Sequence, residues 1–121
     1  MERTVRRTRI PLTVEAPHRA RRWVKHAVPL EPHVGEVVVL LLSELVANSV
    51  RHSGRSAGDQ VTIFVRKTTS SIHVEVCDPG PGGNIRPDAS SDHSGLRILD
   101  SLSDRWGVTQ DPTTVWFDVA G

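Results

Sequence analysis

The chain has a single cysteine, Cys77, so no intramolecular disulfide can form. The start of the sequence also lacks a positively charged leader followed by an apolar core, and both absences point to a reducing cytoplasm as the expected compartment. Long apolar runs are missing too. The longest, Val37 to Leu42, is broken by Ser43 and Glu44, far short of the roughly 20 residues a membrane-spanning helix needs. The six histidines show neither an HExxH pattern nor a Cys/His spacing that would hold zinc, and neither a nucleophile elbow nor a P-loop occurs. No internal repeat is apparent. Among the few aromatic residues, Trp106 and Trp116 fall in strand-like segments and read as core, not as base-stacking platforms.

What is present is enough for one domain: 121 residues can bury a core but leave no room for a separate regulatory module, so residues 1–121 are read as a single unit. The net charge of +1 hides an uneven distribution. Residues 1–26 carry eight Lys/Arg against two Asp/Glu, and residues 27–121 carry seven against twelve. A basic segment of this kind attracts nucleic acid or an acidic protein surface, but it is equally the ordinary solvated face of an amphipathic helix, which is the reading adopted.

Periodicity orders the elements. Thr4 to Thr13 is rich in Thr, Val and Ile with interleaved arginines, and with Pro11 it reads as an edge strand whose charges discourage aggregation. Pro17 suits a first helical turn, after which Ala20, Trp23, Val24, Ala27 and Val28 recur at helical spacing as far as Pro29. Pro32 opens a long apolar helix that runs to about His52, before Gly54 and Gly58. Gln60 to Thr68 and Ser71 to Cys77 alternate as an antiparallel hairpin. Asp78 to His93 is too rich in Gly, Pro, Ser and Asp for a regular element and reads as a long loop of functional type. Helical spacing returns from Gly95 to Leu102, and strands follow around Trp106–Val108 and Val115–Val119. The order predicts an α/β fold, a two-layer α/β sandwich with helices on one face of a mixed sheet. The long helix should face the strand that delivers Asp78.

That helix carries the chemistry. Glu44 and Asn48 stand one turn apart on one face of an otherwise apolar segment, EVVVLLLSELVANSVRHS, with Arg51 and His52 extending the face. A carboxylate and an amide so stacked can share one substrate; the alternative is a solvated stripe of Glu36, Ser43, Glu44, Asn48, Arg51 and His52.

The ordered set ELVANSVRH, VCDPGPGG, SGLRILDSLSDRWGV and TTVWFDV resembles the nucleotide-binding domain shared by histidine kinases, gyrases, MutL and the Hsp90 class (the Bergerat fold). It is most similar to the small anti-sigma-factor serine kinases, over nearly the whole chain. The resemblance implies ATP and Mg²⁺ as cofactors, with Asn48 as the metal ligand bridging to the phosphates and Glu44 as the group that activates the attacking hydroxyl. It implies that Asp78 accepts a hydrogen bond from the adenine amine, with Gly80 and Gly82 letting the backbone approach the base. Ser94, Gly95 and Leu96 fall at the phosphate-side helix N-terminus, and Thr114 joins them from the last strand. Two positions depart from the relatives' pattern. His93 replaces the first glycine of a GxGL box, and Pro112-Thr113 stand where Gly-Lys is common, removing one phosphate-side cation.

The implied activity is that of a Mg²⁺-ATP-dependent serine/threonine protein kinase that sequesters a sigma factor and phosphorylates an anti-anti-sigma partner. The alternative is a non-catalytic binding module of the same fold, with weak or lost nucleotide binding, that regulates its partner by contact. Neither reading calls for direct nucleic-acid binding or a membrane. Homodimerisation through the arginine-rich N-terminal strand and helix is a further expectation.

Overall fold

The computed structural model describes residues 3–52, 59–78, 94–110 and 113–121. Along the chain run β1 (Thr4–Pro11), α1 (Ala16–Ala27), α2 (Pro32–His52), β2 (Gln60–Lys67), β3 (Ser71–Cys77), α3 (Ser94–Leu102), β4 (Arg105–Thr109) and β5 (Thr114–Ala120). The strands form one sheet in the order β1-β2-β3-β5-β4, so β1 is an edge strand as its arginines and proline predict. The sheet is not mixed, as the sequence led us to expect: all four pairings are antiparallel. β5 enters beside β3 after a passage through α3 and β4, and the β4–β5 hairpin fixes its direction.

Alternation sorts the two faces of the sheet. Val61, Ile63, Val65, Ile72, Val74, Val76, Val115, Phe117 and Val119 are buried on the side that meets the helices. From α1 come Ala16, Ala20 and Val24, and from α2 Val38, Leu41, Leu42, Leu45 and Val46, all buried. Each fully buried Leu or Val contributes about 1.5–3 kcal/mol relative to exposure, which is why α2 is apolar nearly all round. Pro32 to Arg51 is long and apolar enough by composition to cross a membrane, and here that apolarity serves packing across β3 and β5.

The opposite face is polar and aromatic. His73 lies with Nδ1 2.6 Å from Asp118 Oδ1 and Nε2 2.8 Å from Glu75 Oε2, and Arg105 donates to Asp118 Oδ2 at 2.9 Å. Trp116, expected in the core, stands on this outer face beside His73, with ring centroids 5.7 Å apart. Gly107 explains its placement. A Cβ at 107 would sit 2.8 Å from the indole Nε1, so only glycine lets the ring lie across β4. Trp106, by contrast, packs against the core from the edge strand.

The direction of α2 matters for function. A Cβ on Gly121 would meet Ile72 Cδ1 and Val34 Cγ1 at 3.5 Å each, so the first turns of α2 lie where β3 begins and β5 ends. At 21 residues the helix is about 30 Å long, against about 23 Å for a seven-residue strand. Its last turns therefore reach the other end of the sheet, where β3 ends at Cys77 and β5 starts at Thr114.

Candidate functional site

Helical periodicity places the polar residues of α2. Leu41, Leu45 and Asn48 follow at spacings of four and three, as do Leu42, Val46 and Ser49, and all six are buried. Asn48 and Ser49 are each 1% exposed, so neither belongs to a solvated stripe. Glu44 is half-buried, whereas Glu36 and Arg51 are exposed. The face is thus graded: charge at the rim, an amide and a hydroxyl inside.

Both buried side chains are incompletely satisfied. Asn48 Oδ1 accepts a hydrogen bond from the Arg51 guanidinium, one turn on. Asn48 Nδ2 and Ser49 Oγ are buried with no hydrogen-bond partner among the described residues. An unpaired buried polar atom costs about 1–3 kcal/mol. Two on consecutive residues form a local deficit that a ligand can cancel.

The same end of the sheet delivers Asp78, 2% exposed, directly after β3. Its N–H donates to the Thr113 carbonyl at 2.9 Å, continuing the β3–β5 ladder one step beyond Cys77 and Thr114. Thr113 is itself buried, and its hydroxyl donates to Gln110 Oε1 at 3.1 Å. A carboxylate is therefore held inside the protein at a strand end, opposite the last turn of α2.

Glu44 looks elsewhere as well. Between α1 and α2 lies a groove of about 660 Å³ whose lining includes Glu44, Ser43 and Leu40 from α2 with Arg21 and Lys25 from α1. Glu44 thus stands between an accessible groove and the buried Asn48 one turn further along. Such a carboxylate can accept a proton from a group arriving through the groove.

The third helix is anchored from its other end. The Ser103 N–H donates to the Leu99 carbonyl at 2.9 Å, the Asp104 N–H to the Asp118 carbonyl at 2.8 Å, and the Trp106 indole to Asp100 at 3.3 Å. Ser94, Gly95 and Leu96 open the helix, at the end away from that anchor. Helix N-termini present unpaired N–H groups suited to anions.

Of the residues singled out from the sequence, the structure brings Asn48 and Asp78 to one end of the sheet, with Glu44 a turn before Asn48. Gly80, Gly82, His93 and Pro112 lie outside the described residues. Thr114 faces the outer side of the sheet, in a recess shared with Arg66, His73 and Trp116, so of the Thr113-Thr114 pair it is Thr113 that accompanies Asp78. Sequence reasoning passed over Ser49. The available signal was a hydroxyl interrupting the Leu42, Val46 series on a core-facing row.

The sequence profile of the histidine kinase-like ATPase domain matches residues 10–118. This match points to ATP binding. A search of curated proteins finds no match.

Proposed function

The chain belongs to the histidine kinase-like ATPase domain family, and from that premise we propose that it is a Mg²⁺-ATP-dependent regulatory serine/threonine kinase of the anti-sigma type, which sequesters a sigma factor and phosphorylates an anti-anti-sigma protein. The observation that carries this reading is the buried, half-satisfied Asn48, one turn from Glu44 and at the sheet end that holds Asp78. In this reading Asp78 accepts a hydrogen bond from the adenine amine, which guanine cannot supply at that position, and its burial keeps water from competing. Asn48 would hold Mg²⁺ through Oδ1, a hard oxygen of the type this cation prefers. Held there, it would supply charge neutralisation at the phosphates. Arg51, which now donates to Oδ1, has to release that oxygen. Glu44 takes the proton of the incoming serine hydroxyl.

The second reading, a binding module without chemistry, is favoured by one observation: the Arg51–Asn48 contact already occupies the oxygen that a metal would use. Equilibrium nucleotide binding together with single-turnover transfer to a candidate anti-anti-sigma protein separates the two. Transfer that depends on Glu44 supports the kinase. Weak or absent nucleotide binding, with no transfer to any such protein, supports the module.

A further inference from the structure

The basic N-terminal segment of the chain folds into a defined groove. β1 and α1 enclose a space of about 550 Å³ whose lining includes Arg6 and Arg9 from the strand and Arg19, Arg22, Trp23 and His26 from the helix. The four arginines are exposed, and none pairs with a carboxylate among the described residues. The groove runs along a sheet edge that is open among the described residues, where β1 pairs only with β2.

The register shows which main-chain groups face outward. The Leu12 N–H donates to the Asp59 carbonyl at 3.0 Å, continuing the Pro11–Gln60 step of the ladder, so even-numbered residues of β1 address β2. Val5, Arg7 and Arg9 then turn their N–H and C=O groups to the open edge. The Arg6 guanidinium confirms this alternation by donating to the Val5 carbonyl at 3.0 Å.

We propose that this groove binds an acidic, extended segment of a partner protein, which adds to the sheet as a sixth strand beside β1 with its carboxylates against the arginines. Arginines on an edge strand also deter aggregation, but that role does not require Arg19, Arg22 and His26 on α1 to converge on the same space. A second copy of this chain fits poorly, because a β1–β1 pairing sets arginine against arginine. Nucleic acid fits less well than a peptide, because residues 27–121 carry a net charge of about −5 and a phosphate backbone does not offer a strand's alternating donors and acceptors. The proposal does not depend on nucleotide binding.

The test is fluorescence anisotropy of the full chain with a labelled peptide of alternating Glu and Val, as long as β1. Three further probes accompany it: the Lys/Val counterpart, the Glu/Val peptide N-methylated at alternate residues, and a short DNA duplex. The Glu/Val peptide should bind, weaken with added salt, and lose about tenfold in affinity to the Arg19→Glu/Arg22→Glu variant, the equivalent of two surface ion pairs. The Lys/Val and N-methylated peptides should not bind. Equal binding of the plain and N-methylated peptides would reduce the groove to a charged patch and overturn strand addition. Binding of DNA but not peptide would overturn the choice of partner. Binding of no probe would leave the arginines to aggregation control alone. The N-methylated peptide tests the wild-type chain, so the outcome stands even if the double variant does not fold.

Discussion

The two ends of α2 are built on opposite rules. At its N-terminus the Glu31 carboxylate accepts the N–H groups of His33 at 2.9 Å and Val34 at 3.1 Å, and the Gly35 N–H donates to the Glu31 carbonyl at 2.7 Å, so the first turn is capped from within. Val34, Ile72 and Gly121 close the packing there. At the C-terminal end the order reverses: Asn48 and Ser49 are buried with polar atoms unpaired among the described residues, at the sheet end that holds the buried Asp78. One helix thus carries a stability end, where polar groups find partners, and a functional end, where partners are withheld. The contrast teaches where to look for a ligand: unpaired buried groups are retained where something else completes them.

The contrast is sharpened most by separating binding from chemistry at the functional end. Glu44→Gln should leave nucleotide affinity nearly intact and lower single-turnover phosphoryl transfer by about 10²–10⁴-fold. Asn48→Ala should reduce both the transfer rate and the Mg²⁺-dependent part of the affinity, measured by calorimetry with and without a chelator. Next in size, Asp78→Asn replaces an acceptor with a donor in a buried position and should cost about 1–3 kcal/mol of adenine nucleotide affinity, again by calorimetry. Equal affinity would remove Asp78 from the site.

Ser49→Ala moves two observables in opposite directions. It deletes an unpaired buried hydroxyl, so the nucleotide-free protein should gain up to about 1 kcal/mol and melt higher. Nucleotide affinity should fall, because the hydroxyl that the ligand would satisfy is gone. A change in stability alone would make Ser49 a packing residue.

The smallest effect belongs to the other end. Backbone hydrogen bonds from His33 and Val34 hold the Glu31 carboxyl below its ordinary pKa. A depressed carboxylate contributes stability above its unfolded-state pKa and loses that contribution as pH falls through the folded-state value. Glu31→Gln should therefore lower Tm slightly at neutral pH, with the difference from wild type closing in acid below the ordinary glutamate range. Its nucleotide affinity should match wild type. A loss of binding in this variant would break the division between the two ends.

Much of the fold could be read from the sequence because its signals are local. Pro32 and the apolar period set α2, and alternation placed strands at Gln60–Thr68 and Ser71–Cys77, where the structure has β2 (Gln60–Lys67) and β3 (Ser71–Cys77). The pairing of β3 with β5 was not legible, since nothing local in either strand states its neighbour or direction; the sheet turned out wholly antiparallel. Trp116 was misplaced because size and hydrophobicity argue for the core, while the space it occupies is set by Gly107 on another strand. The candidate site divided in the same way. Asn48 and Asp78 stood out as polar residues in apolar or glycine-rich settings. Ser49 did not, because a serine inside a helix declares itself only when its hydroxyl is seen to be buried and unpaired.

The central claim is that the C-terminal end of α2 and the Asp78 end of the sheet form a nucleotide site. Thermal unfolding of the full chain with Mg²⁺-ATP, Mg²⁺-GTP and Mg²⁺ alone tests it most directly. The account predicts stabilisation by Mg²⁺-ATP, reaching about 2.7 kcal/mol at a ligand concentration near 100 Kd, and little or none from Mg²⁺-GTP or the metal alone. An unfolding curve that ATP does not move at millimolar concentration would contradict it.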